Sequence, residues 1–449
     1  MIVLAVLLLL IAPVPRAAAS ILDVAPDGSG AYANLQEALA AAGPGDSIRL
    51  ADGVFAGAGN RNLTLGGELT LFSASGEAES CAVDIEGDGR AFLIYTFPGS
   101  SIRIEGITLR GGDPASLPEE LLPGYGGALA VKSLAAGGAV SVEGCVFEEN
   151  RADAGGGAFF WGGGGIFRSC TFRNNVATDG GGAYCYLCLE GGGVRFEECL
   201  FHGNDYPSEP VGGYGAGVFF SRSIGRVESC TFALNRAWYG GGILLSDEAD
   251  VGVEASLIAF GTRGNGLAVF GADVAITRSD IFGNEGGDWV GTIAGLLGVD
   301  CNLSLDPLFC SMNEGDFTLR SDSPCLPENN DTCGAVGALG LGCEAPVGIA
   351  GKDAGPLSGL RFWTRGPDPF NRTTEVAFVL PEPAHARLTI HDLSGRLVAV
   401  LLDESVGAGE HTVSWSGIGR AGEIVPSGTY FARLDAGGRV VTRKITRIR

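Results

Sequence analysis

Positive charge is scarce in this 449-residue sequence. It contains three lysines, Lys132, Lys352 and Lys444, and its formal net charge is −22. Proteins that bind nucleic acid neutralise the phosphates with clustered lysine and arginine side chains. The composition therefore excludes nucleic acid as a partner.

Long hydrophobic runs are missing beyond the first residues. The run from Ile2 to Ala12 is too short to span a bilayer, and the small residues Ala17 to Ala19 follow it. This order predicts a secretory signal peptide over residues 1–19. Because no positive charge precedes the run, an uncleaved anchor is the alternative. We expect no transmembrane span in the mature chain and place it in the secreted fraction or on a bacterial outer surface.

Histidines and paired metal-binding motifs are also rare. Three of the four histidines lie in the last part of the chain, and His202 lies far from them in the sequence. Cys185 and Cys188 form a C-x-x-C motif, but no second pair follows at the spacing of a zinc site. We therefore predict no metal site, no cofactor and no catalytic triad.

Glycine is abundant, with 74 residues that separate short apolar runs. One pattern recurs: a cysteine is followed two residues later by a phenylalanine, and the phenylalanine is followed three residues later by an asparagine. Its four copies are Cys145, Phe147 and Asn150; Cys170, Phe172 and Asn175; Cys199, Phe201 and Asn204; and Cys230, Phe232 and Asn235. The copies are 25, 29 and 31 residues apart, a period that indicates a solenoid. The β-prone runs between them predict coils of short parallel strands.

Stacked coils place equivalent residues in ladders about 4.8 Å apart. We expect the four repeat asparagines to adopt the left-handed backbone of a turn and to bond one another through their amides. The phenylalanines are expected to fill the interior. The cysteines are expected to remain buried thiols, because parallel Cβ vectors at this spacing suit a disulfide poorly.

A second group of cysteines lies in a loop-rich stretch after the repeats. Cys301, Cys310, Cys325, Cys333 and Cys343 stand among glycines and prolines, as is typical of disulfide-stapled segments in exported proteins. Their odd number leaves at least one thiol free or paired elsewhere, and the sequence leaves the connectivity open.

A Gly-Gly turn precedes another recurring strand. If the residue directly after the glycines points inward, strand alternation makes the next residue point outward. The residue two positions beyond that one then points outward as well. The outward residues are then Leu129, Phe159, Tyr184, Phe219 and Leu244, with Val131, Trp161, Tyr186 and Ser221 two positions further on. This aromatic stripe predicts a platform for sugar rings or for a protein partner. The alternative is that a loop, the tail or another subunit covers it.

The alternation of F-x-x-N with G-G-A/I resembles the repeats of polymorphic outer-membrane proteins. Residues 20–343 as a whole look like a right-handed parallel β-helix of the pectate-lyase-like superfamily. The segment from Leu35 to Leu39 resembles the helical N-terminal cap of such proteins, and the segment from Asp306 to Cys310 resembles their closing coils. The resemblance implies an all-β solenoid and leaves the activity open.

The composition changes after the last cysteine. Residues 344–359 indicate a flexible linker, and alternating runs over residues 360–449 predict a small immunoglobulin-like β-sandwich. The segments Trp415-Ser-Gly417 and Ser427-Gly-Thr-Tyr430 resemble FlgD-type domains, which are similar to the C-terminal sorting domains of type IX secretion. The resemblance implies secretion machinery as a partner, with a purely structural module as the alternative.

The superfamily includes pectate lyases and polygalacturonases, which need clustered carboxylates or a carboxylate beside a base. Asp247, Glu248 and Asp250, with Arg222 one coil away, are the candidates for such a catalytic site. The other acidic residues suit a solvated outer face. We rank a noncatalytic, adhesin-like binder of polysaccharide or of a cell-surface protein first, and a carbohydrate-active lyase or hydrolase second. A purely structural protein is the third alternative.

Overall fold

The computed structural model describes residues 19–189, 191–207, 212–330, 333–345, 361–365, 370–381, 383–392, 396–420, 422, 424–436 and 439–448. Nearly all of the signal peptide predicted over residues 1–19 and of the linker predicted over residues 344–359 lies outside these ranges. The chain divides after Ala345 into two compact units.

The first unit is built from three long parallel sheets. Sheet A aligns the strands Ile21–Val24, Ser47–Leu50, Glu68–Ser73, Ser101–Glu105, Ala139–Glu143, Gly165–Arg168, Val194–Glu197, Ile224–Glu228, Asp250–Glu254 and Asp273–Thr277. Sheet B aligns Gly53–Phe55, Cys81–Asp84, Thr108–Arg110, Val146–Glu148, Thr171–Arg173, Leu200–His202, Thr231–Ala233, Leu257–Ala259 and Asp280–Phe282. Sheet C aligns Leu63–Leu65, Phe92–Thr96, Leu129–Ser133, Ala158–Trp161, Ala183–Tyr186, Val218–Ser221, Ile243–Ser246 and Leu267–Phe270.

Each coil of the chain passes through sheets A, B and C in that order. A short strand pair, Arg151–Ala154 with Val176–Asp179, extends the turn between sheets B and C. Along each strand, inward and outward side chains alternate, as in Ser101–Glu105, where Ile102 and Ile104 are buried in the core. The predicted all-β, right-handed parallel β-helix is confirmed.

The four repeat asparagines are buried and form a hydrogen-bonded ladder. The Nδ2 of Asn150 donates to the Oδ1 of Asn175 at 3.0 Å, and bonds of the same length join Asn175 to Asn204 and Asn204 to Asn235. Each Nδ2 also donates to a main-chain carbonyl, as that of Asn175 does to Phe147 at 2.9 Å. Because these buried amides keep their partners, they stabilise the turn between sheets B and C.

The left-handed backbone of this turn does not fall on the asparagines, so that expectation is wrong. It falls on the preceding residues, Glu149, Asn174, Gly203 and Leu234, whose φ angles lie between 54° and 64°. Asparagine is therefore required here for the bonds of its side chain and not for its tolerance of positive φ.

The repeat phenylalanines stack inside the coil against the glycine turns. The ring centroids of Phe172 and Phe201 are 4.6 Å apart, and those of Phe201 and Phe232 are 4.7 Å apart. A Cβ on Gly182 would come within 2.9 Å of the Phe201 ring, and one on Gly217 within 2.6 Å of Phe232. Because the third glycine of these turns has no side chain, the phenylalanine stack can fill the space beside it.

The repeat cysteines lie at the turn between sheets A and B as buried free thiols. The backbone N–H of Cys199 donates to the sulfur of Cys230 at 3.4 Å. Burial raises the pKa of Cys145, Cys170 and Cys199 well above the usual range of a thiol. The thiolate is the reactive form, so these residues act as small core side chains.

Short helices close the two ends of the solenoid. At the first end, Leu35–Ala41 is an α-helix that buries Leu35 and Ala38 in the core, and its N-cap Asn34 accepts a bond from the N–H of Glu37. At the other end, the 3₁₀ helix Gly291–Leu296 buries Ile293. Further 3₁₀ turns are Ala58–Asn60, Ala78–Ser80, Pro114–Ser116, Glu119–Leu121, Met312–Glu314 and Pro327–Asn329.

The last part of the first unit, residues 301–345, packs on the outer face of sheet B. Its three-stranded sheet joins Phe309–Ser311, Asp316–Arg320 and Leu341–Cys343. Leu319, Cys325 and Val336 form one cluster with Leu257 and Ala259 of sheet B. We call these residues the closing segment.

Two disulfides hold the closing segment together. Cys301 pairs with Cys333, and Cys310 pairs with Cys343. Cys325 remains a buried thiol, so one cysteine of the five is left over, as the odd number requires.

The second unit contains two antiparallel sheets with a core of their own. One sheet joins Arg361–Thr364, Thr374–Leu380 and Gly409–Trp415, and the other joins Leu397–Val406, Ala384–Asp392, Gly428–Ala436 and Arg439–Arg447. The hydroxyl of Tyr430 donates to the carbonyl of Pro426 at 2.8 Å, and its ring lies 5.2 Å from that of Trp415. A tyrosine that bonds back to the chain a few residues upstream is typical of immunoglobulin-like sandwiches.

Candidate functional site

The outer face of sheet C carries two rows of side chains. The parallel register aligns Phe159, Tyr184, Phe219, Leu244 and Ala268 in a first outward row. A second outward row, two positions further along each strand, consists of Lys132, Trp161, Tyr186, Ser221, Ser246 and Phe270. The sequence placed Trp161 and Tyr186 in this second row.

The first outward row is largely covered. Phe159 and Leu244 are 1% exposed and Phe219 is 8% exposed. The glycine turn before each strand folds over it, and at Gly240, with φ of 62°, a Cβ would come within 2.3 Å of a main-chain oxygen of the strand. The ring of Tyr125 also lies 4.8 Å from that of Phe159. These three residues face outward as expected, but the prediction that they offer a binding surface is wrong, because the turns cover them.

Leu129 and Val131 do not belong to these rows, so their predicted outward direction is wrong. They align with Ala158 and Phe160 and lie in the core. The turn before their strand has Ala128 where the next coil has the third glycine, Gly157. Aligning the two coils on their glycine pairs therefore shifts the strand by one residue, which moves each side chain to the opposite face.

Several aromatic residues keep exposed or half-exposed rings on this face, and we call six of them the aromatic strip: Trp161, Tyr184, Tyr186, Tyr214, Tyr239 and Phe270. Trp161 is 37% exposed and Phe270 is 48% exposed. Ring centroids are 6.1 Å apart between Tyr184 and Tyr186, 6.0 Å between Tyr214 and Tyr239, and 5.2 Å between Tyr239 and Phe270. The first pair lies on one strand, and the other two pairs join rings of successive coils.

Tyr214, Tyr239 and Phe270 were missed by the sequence reasoning. Tyr214 and Tyr239 stand directly before the glycine turns, in a row that the backbone aligns with Asp179. The signal was present in the sequence as Tyr-Gly at residues 214–215 and 239–240, and also at 125–126. These turns fold back over sheet C, so a residue placed before the glycines reaches its outer face.

Asp179 occupies the same turn row, between Ala154 and Tyr214. Burial raises the pKa of its carboxyl to about 6. Burial and then the nearby Asp179 carboxylate also raise the pKa of the Tyr184 hydroxyl. Within the described part of the chain, the Asp179 side chain has no hydrogen bond and no ion pair. It is an unpaired carboxylate beside aromatic rings.

A cavity of about 450 Å³ opens beside the middle of the second outward row, where the strands of three successive coils end. Leu187, Leu189, Arg222, Asp247 and Glu248 line it. The structure therefore brings together three of the four residues that the sequence named as catalytic candidates.

The Asp247 carboxylate in this cavity is held in place by two serines of the second outward row. It accepts hydrogen bonds from the hydroxyls of Ser221 at 3.0 Å and Ser246 at 2.9 Å. Asp250, the fourth candidate, is not part of the cavity, because the chain has already entered sheet A, where Asp250 is exposed at the start of a strand. Its grouping with Asp247 and Glu248 is thus corrected.

Among the described residues, no three His, Cys, Asp or Glu side chains approach closely enough to hold a metal ion. The C-x-x-C cysteines, Cys185 and Cys188, lie in the core as free thiols. Burial raises the pKa of Cys188 to about 12. Asp179, Asp247 and Glu248 are the acidic residues that we place beside the aromatic strip.

Comparison with known families agrees with this architecture. Residues 94–302 match the family model of the right handed beta helix region, and residues 367–439 match that of the FlgD Ig-like domain. The chain joins a right-handed β-helix region to an FlgD Ig-like domain. The aromatic strip lies within the part of the β-helix region that the family model covers.

Solved structures similar to this chain include two forms of one enzyme. They are the pectin methylesterase from Aspergillus niger in penultimately deglycosylated and in deglycosylated form, each 14% identical over 64% of this chain and 95% of theirs, with TM-scores of 0.33 and 0.32. No curated protein matches the chain at a significant level. In the described ranges, no helix has the length and apolar character needed to cross a bilayer.

Proposed function

We propose that the β-helix region is a noncatalytic module that binds a polysaccharide along the aromatic strip. The observation that carries the proposal is the run of exposed rings that includes Trp161, Tyr239 and Phe270 on one face of the solenoid. Aromatic rings offer flat apolar surfaces, and tyrosine and tryptophan add a polar edge that can bond hydroxyl groups. A linear glycan lying parallel to the coil axis would meet one ring after another.

A carbohydrate-active lyase or hydrolase is the second candidate, and the cavity lined by Arg222, Asp247 and Glu248 favours it. A hydrolase needs two carboxylic groups placed on either side of one bond. Asp247 is engaged by two serine hydroxyls and Glu248 is its neighbour in the chain, so both carboxylates lie on one side of the strip. The strip extends well beyond this cavity, which supports binding as the principal activity.

The binding proposal predicts a large loss of affinity when the exposed rings are removed. Trp161→Ala combined with Tyr186→Ala should weaken polysaccharide binding at least tenfold, since each stacked ring contributes about 1 kcal/mol or more. Affinity electrophoresis of the full chain in gels containing soluble polysaccharides, guided by a glycan array, measures this. Ile224→Ala, which removes an exposed apolar side chain from the outer face of sheet A, is the matched control.

Two results would contradict the proposal. Equal retardation of the wild type and the double variant would exclude the strip as the binding surface. Release of unsaturated or reducing sugars by the wild type, abolished in Asp247→Asn, would establish the catalytic alternative.

We further propose that the FlgD Ig-like domain directs or retains the β-helix region outside the cell. The two disulfides of the closing segment support an oxidising compartment. Deletion of residues 360–449 should leave the β-helix folded, because its core does not include the tail, and should reduce the amount of protein at the cell surface. Unchanged export of the truncated chain would instead assign the tail a structural role.

A further inference from the structure

We propose that Asp179 makes the aromatic strip selective for a neutral, hydroxyl-rich polysaccharide over one built from uronic acids. This inference rests on the binding function proposed above and names the class of ligand that the strip accepts.

The position of Asp179 carries the argument. It stands in the turn row directly before Tyr214, and the carboxylate is close enough to the Tyr184 hydroxyl to influence its ionisation. The side chain is partly buried, and no arginine or lysine in the described ranges pairs with it. A ligand lying on Tyr184 and Tyr214 would therefore pass beside an uncompensated negative charge.

Two basic groups beside the strip, Lys132 and Arg222, have neighbours within the protein. Lys132 lies over the Trp161 ring, with Nζ 4.9 Å from the centroid. Arg222 shares its cavity with two carboxylates, Asp247 and Glu248, so that side of the strip has an excess of negative charge.

The turn that precedes sheet C in the later coils also contains two arginines. Arg236 pairs with Asp205 at 2.7 Å. Arg263 donates to the hydroxyl of Tyr206 at 2.6 Å and lies over the ring of Trp238 at 4.3 Å. Both guanidinium groups thus have partners within the protein, and neither one contacts Asp179.

Ligand hydroxyl groups supply what Asp179 lacks. A hydroxyl that donates to a carboxylate forms a strong, charge-assisted hydrogen bond. A uronate would instead place a second negative charge beside a partly buried first one, where repulsion is stronger than in water. The net charge of −22 also repels a polyanionic ligand at long range and so disfavours uronate binding further.

The test compares neutral and uronate glycans on the full chain. Affinity electrophoresis at pH 8 and physiological salt uses xyloglucan, mixed-linkage β-glucan and galactomannan against polygalacturonate and alginate. At this pH Asp179 is ionised, because burial raises its pKa only to about 6. We expect the wild type to be retarded much more strongly by a neutral glycan than by the uronates. Asp179→Asn should raise the ratio of uronate to neutral affinity about tenfold, with neutral binding kept within about threefold.

The matched control is Asp273→Asn, which removes one charge from an exposed position on sheet A. It separates the local effect of Asp179 from the change in net charge. A wild type that prefers uronates, or an Asp179→Asn gain no larger than that of Asp273→Asn, overturns the selectivity while leaving strip binding intact. Absence of binding to every neutral and uronate glycan overturns both proposals together.

Discussion

The outer faces of sheets A and C belong to the same coils but carry different chemistry. On sheet A, arginines and glutamates of neighbouring strands pair with one another. Arg168 bonds Glu197 at 2.8 Å, and Glu254 bonds both Arg226 and Arg278. The two arginines hold the pKa of Glu254 below its usual range.

Sheet C leaves its side chains without such partners. Its outer face presents the rings of the aromatic strip and the unpaired carboxylate of Asp179. Both faces follow the same parallel register, which stacks equivalent positions whatever residues occupy them. The difference shows that the interior ladders determine the fold, while the outward positions remain free to differ from one face to the other.

The largest expected effect is a loss of stability when the asparagine ladder, which holds the coils that carry both faces, is interrupted. Asn175→Ala deletes side-chain bonds to Phe147 and Asn204 and removes one of the two acceptors of the Asn150 amide. Because these groups are buried, the β-helix should lose about 3–5 kcal/mol of unfolding free energy. Guanidinium unfolding followed by circular dichroism measures the loss. Asn313→Ala, at an exposed position, serves as control, and a loss below 1 kcal/mol would show that the ladder is dispensable.

A smaller effect is expected at sheet B, whose outer face is covered by the closing segment. Asp280 is fully buried there and accepts hydrogen bonds from the Leu305 N–H and the Cys325 thiol. Burial raises the pKa of its carboxyl to about 7. Because the pKa of Asp280 is higher in the folded than in the unfolded state, its neutral form contributes to the free energy of unfolding in acid. This contribution is lost as pH rises through about 7. Asp280→Asn should therefore stabilise the protein by about 2–3 kcal/mol at pH 8 and have little effect at pH 4.

Denaturation curves of wild type and Asp280→Asn at the two pH values test this expectation. Asp179, with a pKa of about 6, adds a pH dependence of the same sign in both proteins, so only their difference reports Asp280. A difference that does not change between pH 4 and pH 8 would mean that Asp280 remains neutral, or remains charged, over the whole interval.

The smallest effect is expected on the ion-paired face. Arg226→Ala removes an exposed partner of Glu254 and should cost less than about 1 kcal/mol, because solvent screens such pairs. Glycan binding should be unchanged, in contrast to the Trp161 and Tyr186 variants. Reduced binding in Arg226→Ala, measured by the same affinity electrophoresis, would place part of the ligand site on sheet A and remove the distinction between the faces.

The fold was largely predictable because its determinants repeat. The spacing of Phe172, Asn175 and their equivalents indicates both the period and the interior, since a stacked coil must bury the same positions in each unit. The backbone of the turn was harder to predict. Its positive φ falls on residues as different as Glu149 and Leu234, whose side chains give no local signal of it.

The candidate site was only partly predictable. Alternation correctly gave the direction of Trp161 and Tyr186, but the burial of Phe159 and Leu244 depends on how the preceding turns fold over the strand. The same folding brings Tyr214 and Tyr239 onto the face, although they lie outside the strands. Strand periodicity carries no information about either effect.

The buried cysteine ladder also has a consequence for how the protein is oxidised. Of the twelve cysteines, eight are buried free thiols and four form the disulfides of the closing segment. Thiol–disulfide exchange proceeds through the thiolate and needs access to the sulfur, and coil closure denies both to residues such as Cys170. Folding thus decides which cysteines an oxidant can reach. Once the coils have formed, the solenoid thiols can join the wrong partner only if the coils open again.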